Sequence, residues 1–223
     1  MPNKSFFPFL GFAFVYLALT LLGYENLTFW LKPFLIPLLI IPVLKTNQPE
    51  IKKGLILALF FSWMGDVLLL FVFHSNSYFL LGLISFLLAH LFYILLFFKL
   101  QNDAHRNFNR YTSFVLLYLF GFLYFLWDSL GEMKIPVMIY AIVISVMLFI
   151  AIQINLSRKN KASQLILVGA FFFVVSDSVL AVNKFHSPIY LSSFWIMCTY
   201  LSAQFLLVYG ILCLRLPQKK DAE

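Results

Sequence analysis

Charge is what this sequence has least of. Only 11% of its 223 residues are Asp, Glu, Lys or Arg and 62% are hydrophobic, whereas ordinary soluble domains run near 25% and about 45–50%. That scarcity excludes a soluble globular fold and leaves a membrane protein. There is also no polar stretch long enough to fold separately and no low-complexity region, and the 9 prolines and 9 glycines are scattered through apolar segments. A single transmembrane domain over residues 1–223 is expected. Cysteine is nearly absent. Cys198 and Cys213 fall in one expected helix, where a rise of ~1.5 Å per residue separates them by about 22 Å, too far for a disulfide. Missing too are the G-x-S-x-G nucleophile elbow, phosphate loops, dinucleotide fingerprints, His-Glu-x-x-His and paired cysteines at metal-ligand spacing. The expectation is therefore no catalytic metal.

What is present is a succession of apolar runs. About 20 such residues, within a range of about 17 to 25, cross the hydrocarbon as a helix. Eight stretches qualify: 6–23, 29–44, 53–73, 78–98, 111–127, 134–153, 163–183 and 189–213. The expected fold is all-α, an eight-span transmembrane bundle. The first run is read as a span, since no small-x-small cleavage site follows it and further spans do. The second is short and holds Pro33, Pro37 and Pro42, so a kink or partial unwinding is expected there.

The net charge of +7 does not point to nucleic acid, because the basic residues cluster at span ends. With eight spans, one side collects Lys4, Lys45, Lys52, Lys53, Lys99, Arg106, Arg110, Arg158, Lys159, Lys161, Arg215, Lys219 and Lys220. The other side has Lys32, Lys134 and Lys184. By the positive-inside rule both termini are expected to be cytoplasmic. A shift of 111 positions superimposes Asp66 on Asp177 and span three on span seven. That shift is compatible with a parallel four-plus-four duplication.

Two acids break the apolar pattern: Asp66 in "FSWMGDVLLLF" and Asp177 in "FFVVSDSVLAV". Each costs at least about 2.5 kcal/mol to insert at mid-membrane and is expected to face the bundle interior or a wet cavity. Counted from the basic ends of their spans, both lie roughly 20 Å up, in the outer half of the bilayer. A pair of such carboxyls in one apolar pocket supplies a proton donor and an anionic partner; the alternative is that each bonds a neighbouring Ser, Tyr or amide as helix glue. His90 and Tyr93 share a face of span four, either as reactive groups or as hydrogen-bonded packing. His74, His105 and His186 lie at span ends or in loops and read as solvated or interfacial. Lys32, at the start of span two, and Lys184, beside Asn183 after span seven, are placed either to hold a phosphate as point charges or to snorkel to the interface.

Taken in order, "LKPFLIPLL", "WMGDVLLL", "FLLGLISFLLAHLFYILLF", "VSDSVLAVNKF" and "TYLSAQFLLVYG" resemble the YhhN family of bacterial membrane proteins and the related TMEM86 proteins of animals, the lysoplasmalogenases. The likeness runs from span two to span eight. It implies hydrolysis of the vinyl-ether bond of a lysoplasmalogen, giving a fatty aldehyde and a glycerophospho-ethanolamine or -choline, without a cofactor. It also implies a lysophospholipid substrate, a surround of membrane lipids, no nucleic-acid partner and a multi-pass placement in a bacterial inner membrane. The matching positions are Lys32, Asp66, His90 with Tyr93, Asp177, Asn183 with Lys184, and Tyr200 with Gln204; the lysine after Asn183 stands where arginine is often expected. On this basis Asp66, Asp177 and His90 are the expected catalytic residues and Lys32, Tyr93, Asn183, Lys184, Tyr200 and Gln204 the expected substrate-binding ones. The rival readings are a transporter with proton-carrying aspartates and an aspartyl protease, for which Trp63 replaces the first glycine of Gly-x-Gly-Asp.

Overall fold

The structure, a computed structural model, describes residues 4–101 and 110–214; His105, Arg106, Arg215, Lys219 and Lys220 lie outside the described residues. All regular structure among the described residues is helical, as hydrocarbon requires of a chain that must satisfy its own backbone. Eight α-helices follow in order: α1 (Phe7–Leu21), α2 (Glu25–Leu44), α3 (Pro49–Leu69), α4 (Asn76–Leu100), α5 (Arg110–Leu126), α6 (Lys134–Arg158), α7 (Lys161–Ala181) and α8 (Ser192–Cys213). A turn of π-helix, Val182–His186, extends α7.

Seven of these helices, with their short flanking turns, are long and apolar enough to cross a membrane. The eighth, α3, is long enough, but every 18-residue stretch of it holds at least three of Glu50, Lys52, Lys53 and Asp66. Large apolar side chains face outward, among them Phe14, Leu22, Trp30, Leu117 and Phe120, each at least 66% exposed. So wide an apolar surface belongs in lipid, and the chain is an integral membrane protein.

The partial unwinding allowed for α2 does not occur; the helix runs continuously through its three prolines. Pro37 has no N–H to give the carbonyl of Pro33. Trp63 of α3 provides the missing donor, its Nε1 bonding that oxygen at 2.8 Å. Replacing the indole by a ring without a donor, Trp63→Phe, orphans the carbonyl and should cost about 1–3 kcal/mol, read as a lower midpoint of thermal unfolding in detergent. An unchanged midpoint would refute this account of α2.

Most sequential helices pack as neighbours, with α3 most extensively against α4 and α7 against α8, whereas α4 packs on α6 rather than on α5. The α7–α8 contact is close because glycines permit it: a Cβ on Gly169 would lie 2.9 Å from Leu207 N, and one on Gly210 3.0 Å from Ala162 O. Backbone rather than a side-chain tip would have to move. Gly169→Val is therefore expected to destabilise by about 1–3 kcal/mol, and wild-type thermal stability in that variant would count against the tight contact.

The basic end of the bundle is tied together by its own cations. Lys45 Nζ donates to Ser5 Oγ at 3.0 Å, Lys52 Nζ to Leu44 O at 2.8 Å and Arg158 Nη2 to Leu100 O at 2.9 Å. The last two bond the closing carbonyls of α2 and α4, where positive charge is favoured. Gly210 against Ala162 places the end of α8 beside the start of α7, so both described chain ends lie at this end. The opposite end holds the site.

Candidate active site

Each polar side chain of the site is delivered by helical spacing. Ser62 and Asp66 are four residues apart on α3, Tyr200 and Gln204 four apart on α8, and His90 and Tyr93 three apart on α4, so each pair shares a face. Lys32 comes from α2, Tyr140 from α6 and Asp177 from α7. Asp66 lies three residues before the end of α3 and Asp177 four before the end of α7. Asp66 therefore sits within about 5 Å, along the axis, of the end of α3, and Asp177 within about 6 Å of the point where α7 passes into the π-turn, both toward the end of the bundle opposite the basic cluster.

Asp66 is 2% exposed. Its Oδ2 accepts from Tyr200 OH at 2.7 Å, and Lys32 Nζ stands 3.7 Å from Oδ1. Lys32 thus points inward from two turns into α2 rather than lying at the helix start. One turn along, Gln204 Nε2 donates to Ser62 Oγ at 2.9 Å and Gln204 Oε1 accepts from Tyr93 OH at 2.6 Å. These bonds lash α3, α4 and α8 together. They also satisfy the Gln204 amide, a group that would be costly to bury unpaired. Tyr93, Tyr200 and Gln204 are held in this brace and line none of the cavities described below.

Asp177 has different surroundings. Tyr140 OH donates to its Oδ2. His90 Nε2 faces the same oxygen at 3.8 Å, and the wholly buried ring has no hydrogen-bond partner on either nitrogen. Tyr200, Phe173, His90 and Tyr140 form a run of rings, each edge-on to the next at 4.6–5.5 Å. The run leads from the partner of one acid to the partner of the other. No hydrogen bond joins the two carboxyls.

Three cavities give the acids unlike access. A polar vestibule of about 750 Å³ opens at the end opposite the basic cluster and includes Lys32, Glu25, Asn183 and Lys184 in its wall. Asp66 lies below Lys32 without reaching it. A narrow slot of about 50 Å³, room for a few waters, is lined by Asp177, Tyr140, Tyr118 and Ser178 among apolar groups. A groove of about 900 Å³ between α5, α6 and α7 is almost wholly apolar. Leu69, Phe79 and Leu180 are common to vestibule and slot, while Tyr118, Val174 and Ser178 are common to slot and groove. The three spaces form a series.

At the vestibule, Lys184 Nζ donates to Asn76 Oδ1 at 3.2 Å and lies 5.2 Å from the centre of the Phe79 ring. Asn183 Oδ1 accepts from Ile189 N at 2.9 Å and holds the turn after the π-helix. His74 and His186 are exposed, as expected. Sequence reasoning missed Tyr140, whose only signal is a hydroxyl in the apolar run "VMIYAIVI", and Ser62, which is marked by its place one turn before Asp66.

Fold and site together define a polytopic helical membrane protein built around an intramembrane polar centre, with a wet mouth at one end and an apolar flank. The sequence model of the YhhN family matches residues 27–211, and the chain belongs to that family. A protein of Mycobacterium tuberculosis named Lysoplasmalogenase is 32% identical over 138 residues, 60% of this chain and 51% of that protein. Human Lysoplasmalogenase TMEM86A is 33% identical over 164 residues, 71% of this chain and 65% of that protein, and its Bos taurus counterpart is 29% identical over the same length. The chain thus spans between half and two-thirds of the length of the curated relatives it matches. No solved structure matches it.

Proposed function

We propose that this chain hydrolyses the vinyl-ether bond of a lysoplasmalogen, with Asp177 as the proton donor. The observation that carries the assignment is the position of Asp177, the one carboxyl among the described residues that lines the slot between a polar vestibule and an apolar groove. The names of the relatives supply the reaction class.

Vinyl ethers hydrolyse by proton transfer to carbon. Protonated Asp177 gives its proton to the alkenyl carbon one removed from the ether-bearing carbon, leaving a cation shared between that carbon and the ether oxygen. The carboxylate so formed stabilises the cation, as paired carboxyls do for the oxocarbenium of glycosidases. A water in the slot then adds to the cationic carbon and passes its proton back to Asp177. Collapse of the hemiacetal, with proton transfer to the glycerol oxygen, gives aldehyde and alcohol. One water is consumed and the protein is returned unchanged. Tyr140 orients the carboxyl. Asp66 holds Lys32, whose ammonium, with that of Lys184, faces the phosphate in the vestibule as a point charge. The basic end faces the cytoplasm on this reading, so the vestibule opens on the other side.

The test is aldehyde release by the purified protein from a vinyl-ether lysolipid, compared with the matched ester and saturated-ether lysolipids. Aldehyde from the vinyl ether alone is expected. Intact lipid at every pH tried, or cleavage of the ester, would overturn the proposal and turn attention to transport.

A further inference from the structure

The groove between α5, α6 and α7 is not required for the chemistry, yet it meets the slot at one defined place. We propose that the hydrocarbon chain of the substrate lies in this groove, and that the Tyr118–Ser178 pair is the gate between groove and slot. This inference rests on the reading of the site given above.

The slot is too small for a long chain, so a chain whose ether end reaches Asp177 must leave it. Toward the vestibule it would meet Lys32, Glu25 and Lys184, whereas the groove presents Phe114, Leu148, Val168, Phe171 and Val175. An amphiphile with its reactive bond at the junction of head and chain matches this sequence of polar mouth, slot and apolar flank. The wall between slot and groove is thin. Tyr118, Val174 and Ser178 face both spaces, and Ser178 directly follows Asp177. Ser178 Oγ donates to Val174 O, so the Tyr118 hydroxyl is the donor in the bond of 2.5 Å that closes the gap.

The helices are arranged to let that wall open. α5 packs on α6 and on the π-turn, with no comparable contact to α7, and Tyr118–Ser178 reaches across the space between them. The bond between these two neutral hydroxyls is the hydrogen bond that a chain passing from slot to groove displaces. Tyr118 is stacked on Phe122 at 5.6 Å, and both rings line the slot.

The experiment uses a saturated-ether lysophosphoethanolamine, which lacks the reactive double bond, with a diazirine at the chain end. The full-length protein is irradiated with it in lipid nanodiscs, and the modified peptides are mapped. Labelling is expected on α5 and α7 around Phe114, Val168 and Phe171, and unlabelled lysolipid but not diacyl phospholipid should compete it away. Val168→Trp, which fills the groove, should reduce that labelling and lower the long-chain to short-chain ratio of kcat/KM about tenfold, the scale of a hydrophobic pocket that loses its fit. Labelling at vestibule residues such as Phe29 or Phe194 would overturn the proposal. So would groove labelling that diacyl lipid competes equally, because the occupant would then be bulk membrane lipid. Specific groove labelling without aldehyde release would leave the chain site standing and remove the hydrolase reading; aldehyde release with labelling elsewhere would do the reverse.

Discussion

Asp177→Asn should leave the helical bundle folded and lower aldehyde release by about 10²–10⁴-fold, the usual contribution of a positioned proton donor. The substitution is close to isosteric, and the amide oxygen still accepts the Tyr140 hydroxyl that now reaches Oδ2, so packing against α6 is kept. What is lost is an acidic proton beside the slot. No second carboxyl among the described residues lines that slot, and His90, wholly buried and 3.8 Å from Asp177, does not open on it. Activity is to be read beside the thermal midpoint. A folded variant within a few-fold of wild type would show that another group protonates the substrate.

Lys32→Met is expected to damage stability more than any other single change proposed here. Asp66 is 2% exposed and has one cation near it among the described residues, at 3.7 Å; the remaining bond, from Tyr200, does not neutralise it. Removing one partner of a buried pair typically costs 3–5 kcal/mol, because an uncompensated charge stays behind, and here about 3 kcal/mol is expected. The double variant Lys32→Met with Asp66→Asn removes that charge as well. Its unfolding midpoint should recover most of the loss, giving a large favourable coupling in a double-mutant cycle. A double variant no more stable than Lys32→Met alone would mean that the ion pair is not what holds α2 to α3. Both variants should bind substrate poorly, since both lack the ammonium that faces the vestibule.

The number of helices was legible in the sequence because hydrocarbon allows few solutions: runs of about 20 apolar residues became helices nearly where composition put them. The misjudged bounds have local causes. α3 begins at Pro49 rather than near residue 53 because Pro at the first turn and Glu50 favour a helix start, although hydropathy is low there. The continuity of α2 was not legible at all. It depends on Trp63, thirty residues away, and tertiary donors do not register in a hydropathy profile.

The site was half legible. An aspartate in an apolar run announces itself by its insertion cost, so Asp66 and Asp177 stood out at once. That they differ did not. One is paired with Lys32 beneath the vestibule and the other looks into the slot, and only helix packing separates them. Tyr93 and Gln204 were marked by motif, but their mutual bond and the bond to Ser62 put them in the brace between helices rather than at a cavity. Tyr140 and Tyr118 carried little signal, because a tyrosine in a transmembrane run reads as packing or as an interfacial anchor.

The central claim is that a proton reaches the alkenyl carbon and water then takes the neighbouring one. Running the reaction in H₂¹⁸O, with the aldehyde reduced in place to its alcohol before its oxygen exchanges, tests it most directly. The account predicts the label in the aldehyde-derived alcohol and ordinary oxygen throughout the glycerophospho product. Label in the glycerophospho product would place the break on the glycerol side of the ether oxygen and contradict it.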